Sequence, residues 1–284
     1  MKPSEFRSEN HEKTFQHLAE QELHTFLPRI TRSLITSRYH PELSISAKNS
    51  TLLEEVIDEQ HALIIVANHV QKSDHHVMSA VIRDIPELDE FVFCNTVMLA
   101  KSRYFIFPFL SNAYVNQNCF PVNRPQDILK EKGNKADASR VFGSLNKAAQ
   151  YKIDQNVHIA GHPEGTRNKG DWRKIGKIQK GIGHIASSAA TRHNSSRIEM
   201  ESKLHNSQEI DYSDILKSKK VSTLIMSIAY PSKNRSDRYN PLVRVNFLPE
   251  RQDSPRMYTS QMQELMQDGL DTAYKIIDNR YVKR

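Results

Sequence analysis

The stretch Ala62-Leu63-Ile64-Ile65-Val66-Ala67-Asn68-His69-Val70-Gln71-Lys72-Ser73-Asp74 decides the fold class. Its apolar first half is short, continuous and rich in β-branched side chains, so it reads as a strand buried on both faces. The polar residues that follow leave its carboxyl end, where open α/β sheets hold their ligands. A histidine and an aspartate leave that strand together. An imidazole works as a general base near neutral pH when a partner holds its tautomer and steadies the imidazolium, and a nearby carboxylate does both. Positions five apart on a regular helix point about 140° away from each other. His69 and Asp74 therefore meet only if His69 lies in the loop and Asp74 in the first helical turn, with Asn68 and Ser73 as loop or cap residues. Read alone, the pair is more simply a surface His and Asp in a βα loop.

Outward from this stretch the α/β pattern recurs. A helix is expected from about Asp74, carrying Val77, Met78, Val81 and Ile82 and ending before Pro86. Strands are expected at Phe91–Cys94, Val157–Ala160, Val221–Ala229 and Leu242–Leu248, and further helices over about 138–151, 177–190 and 258–279. Residues 9–40 carry apolar side chains at helical spacing, interrupted by Pro28, and read as two short helices. From Thr191 to Lys220 the chain is polar without clear periodicity and reads as an insertion or loop. The expected fold class is α/β, a mixed, mostly parallel sheet flanked by helices. A small N-terminal helical appendage occupies 1–45, and the α/β domain 46–284 carries the polar insertion at 191–220.

With 284 residues, 38% of them hydrophobic and 26% charged, the chain can bury a sizeable core and has an ordinary globular composition. No stretch approaches the ~18–20 apolar residues of a membrane span. The first residues, Met1 to Arg7, lack the apolar core of a signal peptide, and two cysteines make no disulfide framework. The expected location is cytoplasmic, with peripheral membrane association. The formal charge of +7 favours anionic partners such as phosphate esters or anionic lipid head groups. Neither zinc-finger spacing nor an RNA-binding aromatic signature occurs, so no nucleic-acid partner is expected. The aromatic run Tyr104 to Leu110, flanked by Lys101 and Arg103, reads first as core and second as a surface that touches lipid.

Three polar clusters fall at strand ends: Asn68 to Asp74, Phe120 to Arg124, and Gly161 to Arg167. Strand ends on one edge of a parallel sheet converge, so these clusters can share one pocket. Guanidinium forks suit phosphate, and Arg124 with Arg167 would make a clamp for a phosphate monoester. Pro163 and Gly165 shape a tight turn that would bring Glu164 and Thr166 to the same ligand. His75, His76 and His162 form no recognised ligand spacing, so no metal is expected.

In this order the blocks resemble the glycerolphosphate and 1-acylglycerol-3-phosphate acyltransferases. That family shares N-H-x-x-x-x-D, then F-h-x-R, then Pro-Glu-Gly-Thr-Arg, then a strand ending in proline. Here they stand as Asn68 to Asp74, Phe120 to Arg124, Pro163 to Arg167, and Ile228-Ala229-Tyr230-Pro231, within about residues 60–250. Lys180-Gly181 is similar to the pair that opens the helix after the third block. Three departures stand out. The second block is one residue longer than usual, His162 occupies a position that is more often aromatic or aliphatic, and the polar segment 191–220 delays the fourth block.

The resemblance implies transfer of a fatty acyl group from acyl-CoA or acyl carrier protein to a hydroxyl of glycerol 3-phosphate or 1-acylglycerol 3-phosphate in phospholipid synthesis. His69 would be the general base and Asp74 its partner; Arg124, Glu164, Gly165, Thr166 and Arg167 would bind the phosphate-bearing acceptor. No cofactor beyond the acyl donor is implied. The alternatives are acylation of a different lysolipid or amphiphile, and a catalytically silent lipid- or phosphate-binding module that keeps the fold.

Overall fold

A computed structural model describes residues 11–25, 28, 30, 37–105, 108–123, 127–128, 135–168, 170–206, 208–211, 215, 219–232, 239–250 and 254–282. Seven strands form one sheet: β1 (Glu42–Ile45), β2 (Ala62–Ala67), β3 (Thr96–Lys101), β4 (Cys119–Val122), β5 (His158–Gly161), β6 (Val221–Ala229) and β7 (Leu242–Leu248). Their order is β1-β7-β6-β2-β5-β3-β4, and every pairing is parallel except β6 with β7. The mostly parallel α/β class expected from the sequence is the class observed.

β2 lies between β6 and β5, and all six of its residues are buried. Alternate side chains serve opposite cores, as the two-residue period of a strand requires. Leu63 and Ile65 face the layer made by α2 (Ala47–Asp58), α3 (Asp74–Arg83) and α4 (Pro86–Val92), through Leu53, Val56, Val77, Met78, Val81 and Leu88. Ile64 and Val66 face the other layer, made by α1 (His11–Glu20), α6 (Lys135–Asp154), α7 (Lys180–His205) and α8 (Pro255–Val282). Here the packing partners include Phe15, Leu145, Ile185 and Met262. Each fully buried Ile or Leu contributes about 1.5–3 kcal/mol of transfer free energy, which explains why the central strand carries no polar residue until its end.

The remaining helix, α5 (Pro108–Asn116), follows a 3-10 turn over Ser102–Phe105. The aromatic run divides there. Phe105 is fully buried, whereas Tyr104 is exposed and stacks on Tyr114 with centroids 5.4 Å apart. Residues 106 and 107 lie outside the described residues. Pro121 sits in β4, an edge strand, where its missing N–H costs no ladder bond that the sheet needs.

Three expectations are corrected. Phe91–Cys94 is not a strand: α4 runs through Val92, opened by Pro86 with Glu87 and Asp89 in its first turn, and burying Leu88 and Val92 one turn apart. The strand starts at Thr96, after Cys94 turns the chain with a φ of 65°. The polar segment from 191 is helical as far as His205. Its polar side chains are paired to neighbouring elements, Arg192 with Asp154 and Arg197 with Glu250, while the buried His193 ring lies 2.7 Å from the Lys219 carbonyl oxygen. Residues 42–45, assigned to the N-terminal appendage, form β1 in the sheet. α1 agrees with a helix over the first part of 9–40, and the second helix expected there falls largely outside the described residues.

Candidate active site

The three strands whose ends carry the site, β6, β2 and β5, are consecutive in the sheet. Asn68, 1% exposed, extends β2 by a side-chain bridge to β6. Its Nδ2 donates to the Ile228 carbonyl at 3.1 Å, and its Oδ1 accepts from the Ile228 N–H at 2.7 Å. Asn68 is therefore a sheet fastener rather than a cap. Ser73 stands at the N-cap of α3 but makes no side-chain capping bond.

Asp74 opens α3 and is completely buried. Its Oδ2 accepts from the backbone N–H of Val70 at 2.6 Å and of Gln71 at 2.7 Å, closing the loop over the carboxylate. The same oxygen lies 3.0 Å from His69 Nδ1. Since a carboxylate accepts, Nδ1 carries the proton, and the Nε2 lone pair is left to act as the base. The His69 side chain is 20% exposed and that of Asp74 is not exposed at all, so the imidazole reaches solvent while its partner is shielded. On the other carboxylate oxygen, Oδ1, the phenol of Tyr230 donates at 2.5 Å. Burial and the adjacent carboxylate hold the Tyr230 phenol well above its ordinary pKa, so it stays a donor.

The third block locks onto the first. His162-Pro163-Glu164-Gly165 is a tight turn in which the Gly165 N–H donates to the His162 carbonyl at 3.0 Å, with Pro163 at the second position and Gly165 at a φ of 69°. The turn points Glu164 inward to 4% exposure and leaves Gly165, Thr166 and Arg167 exposed. Glu164 Oε1 accepts from the His69 backbone N–H at 3.2 Å, and the His69 carbonyl accepts from the Asn168 N–H at 2.6 Å. Burial raises the Glu164 carboxyl to about 7, against the pull of the His69 and Gly176 amides and with a push from Asp74. No carboxylate pairs with Arg167 among the described residues, which leaves its guanidinium available. Arg124 lies outside the described residues.

His162 stacks on His69, with ring centroids 4.2 Å apart and planes 13° off parallel. Its Nδ1–H donates to the Ala67 carbonyl at 3.0 Å. Burial lowers this imidazole to about 4, with the neighbouring His69 and His75 acting in the same direction and Asp74 opposing.

Residues 170–176 form a strap that packs on α8. Arg173 makes a two-pronged ion pair with Asp278, both contacts at 2.8 Å, and lies over the Tyr274 ring at 4.5 Å. Gln267 donates to the Arg173 carbonyl and accepts from the Ile175 N–H. The strap ends at Gly176, where a Cβ would come within 2.6 Å of Glu164 Oε2. Neither Tyr230 nor Gly176 was singled out by sequence. Tyr230 sits in the fourth block as an unremarked residue before a proline, and Gly176 belongs to no block.

The mostly parallel α/β sheet thus carries, at the end of β2, a histidine–carboxylate pair with one imidazole nitrogen left to accept a proton. A family model described as Acyltransferase matches residues 49–198, more than half of the chain, and the chain belongs to that family. No curated protein matches it.

Proposed function

We propose that the protein transfers a fatty acyl group from an acyl-CoA or acyl carrier protein thioester to a hydroxyl of glycerol 3-phosphate or 1-acylglycerol 3-phosphate. The observation that carries this reading is the chain Tyr230–Asp74–His69, which leaves Nε2 as the basic atom of a partly exposed imidazole. Nε2 takes the hydroxyl proton as that oxygen attacks the thioester carbonyl. Asp74 holds the imidazolium in place, and the tetrahedral intermediate collapses by expelling the thiolate, which receives the proton back. No acyl-enzyme forms. The exposed Thr166 and Arg167, with Gly165 and Arg124, meet the phosphate of the acceptor, where a guanidinium makes charge-assisted bonds. Glu164 supports the same pocket by holding the His69 backbone.

Among the described residues no helix is long and apolar enough to cross a membrane. The net positive charge and the exposed Tyr104 beside Arg103 suit reversible contact of a cytoplasmic protein with an anionic bilayer. Flotation with anionic liposomes is expected to show salt-sensitive binding, and its absence would count against this contact.

The decisive assay supplies a labelled acyl donor with glycerol 3-phosphate, 1-acylglycerol 3-phosphate and other lysolipids in parallel. Transfer to a phosphate-bearing acceptor that His69→Ala removes is expected. Lipid binding with no turnover on any donor would instead identify a silent binding module, and transfer undiminished in His69→Ala would refute the base assignment.

A further inference from the structure

We propose that His162 is a positioning residue for the base: its ring forms the wall against which the His69 imidazole is held, and its Nδ1–H bond to the Ala67 carbonyl fixes that wall. The inference rests on the reading of His69 as the base and adds a residue to it.

The placement follows from the sheet. β2 and β5 are parallel neighbours, with Val66 opposite Gly161, so the residues that leave the two strands emerge side by side. His162 is the first residue beyond β5, and its side chain turns to the Ala67 carbonyl at the end of β2. This bond ties the ring to the strand that delivers His69. A carbonyl only accepts, so Nδ1 is the protonated nitrogen of His162.

A single hydrogen bond to Asp74 leaves the His69 ring able to swing about the Nδ1···Oδ2 line. A second ring at 4.2 Å and 13° removes that freedom on one face. The charge matters as much as the shape. When His69 accepts a proton, the face opposite it must not be cationic, and a neutral aromatic face attracts a cation at this distance. Burial keeps His162 neutral, since it protonates only near pH 4. The charged and titratable groups that act on the ring, His69, Asp74 and His75, then leave it as a spectator to proton transfer rather than a competing base. An ordinary aromatic residue would supply the face without the tether.

Two substitutions separate face from tether. His162→Phe keeps a flat ring and loses the donor; His162→Asn keeps a donor at the Nδ1 position and loses the ring. His162→Asn, which loses the wall itself, is expected to lower kcat about five- to tenfold with KM changed less than about twofold, and His162→Phe, which keeps the wall and loses only its tether, about two- to threefold. Wild-type kcat in His162→Asn, or equal losses in both variants, would overturn the proposal. Nitrogen-15 NMR of the wild-type protein without any acyl donor provides a measurement that does not depend on the variants folding. His162 is expected to be neutral and protonated on Nδ1 from about pH 6 upward. A His162 protonated on Nε2, or cationic in that range, would overturn it as well. A wrong base assignment shows instead in His69→Ala, so the two failures are told apart.

Discussion

Tyr230 and Asp74 stand 156 positions apart in the chain and are joined by a 2.5 Å hydrogen bond from the phenol to Oδ1. With the two loop amides and His69 on Oδ2, the carboxylate receives four donors inside the protein. The phenol fills the one oxygen that the loop itself does not reach.

Tyr230→Phe leaves Oδ1 buried without its donor. The expected result is a folded protein destabilised by about 1–3 kcal/mol, with kcat lowered about tenfold because the carboxylate is freer to turn away from His69. Thermal unfolding and steady-state kinetics, read together, check both parts; unchanged kcat would show that the loop amides alone hold Asp74.

Asp74→Asn is expected to be more damaging to activity. An amide oriented to accept from Val70 and Gln71 presents no carboxylate to stabilise the imidazolium, and an amide turned the other way sets its NH2 against those two N–H groups. A loss of about 10³-fold or more in kcat is expected, the order seen when a base loses its orienting carboxylate. Transfer within tenfold of wild type would contradict it.

Glu164 makes stability depend on pH. Its carboxyl is raised in the folded protein to about 7, from an ordinary value of 4.5. Between those limits the folded state binds more protons than the unfolded state, so stability falls as pH rises through this window and levels off above it. Glu164→Gln keeps an oxygen for the His69 amide and removes the titration. Its unfolding free energy is expected to rise relative to that of wild type between about pH 5 and pH 7.5, by on the order of a few kcal/mol at most. A pH-independent difference would count against a buried, raised carboxyl.

Gly176→Ala tests the strap. The added Cβ would sit 2.6 Å from Glu164 Oε2, the far end of a buried side chain, which must shift to admit it. Displacing Glu164 releases the His69 backbone N–H. A stability loss of about 1–3 kcal/mol is expected, together with a fall in kcat larger than that produced by Arg173→Ala, which loosens the strap at its exposed ion pair with Asp278.

Much of the fold was readable because the strands of a parallel sheet are continuous apolar runs and the helices between them bury regular stripes. The geometry of the contact between His69 and Asp74 was readable because it is local: with the histidine in the loop and the aspartate in the first helical turn the two side chains meet, although the pair alone reads more simply as a surface His and Asp. Phe91–Cys94 misled because Phe, Val and Cys suit a strand, yet Pro86 and the Leu88–Val92 spacing start and bury a helix first. The continuation of α7 past Thr191 was hidden because its outer turns are held by ion pairs with Asp154 and Glu250, partners that only the folded chain brings near. Tyr230 and His162 were visible as residues and invisible as partners. One lies across β6 and the other across β5, and strand adjacency is not written in local periodicity.

Asn68 gives the site its lifetime. By exchanging two hydrogen bonds with the Ile228 backbone it splices the start of the His69 loop into the ladder between β2 and β6. Loops that bear chemistry usually belong to the regions of a protein that open most readily. This one is fastened to its two central strands, so the Ile228 amide is expected to exchange with solvent only when the sheet itself comes apart. His69 is thus presented on a part of the molecule expected to open last, whereas Thr166 and Arg167 stand on an exposed turn.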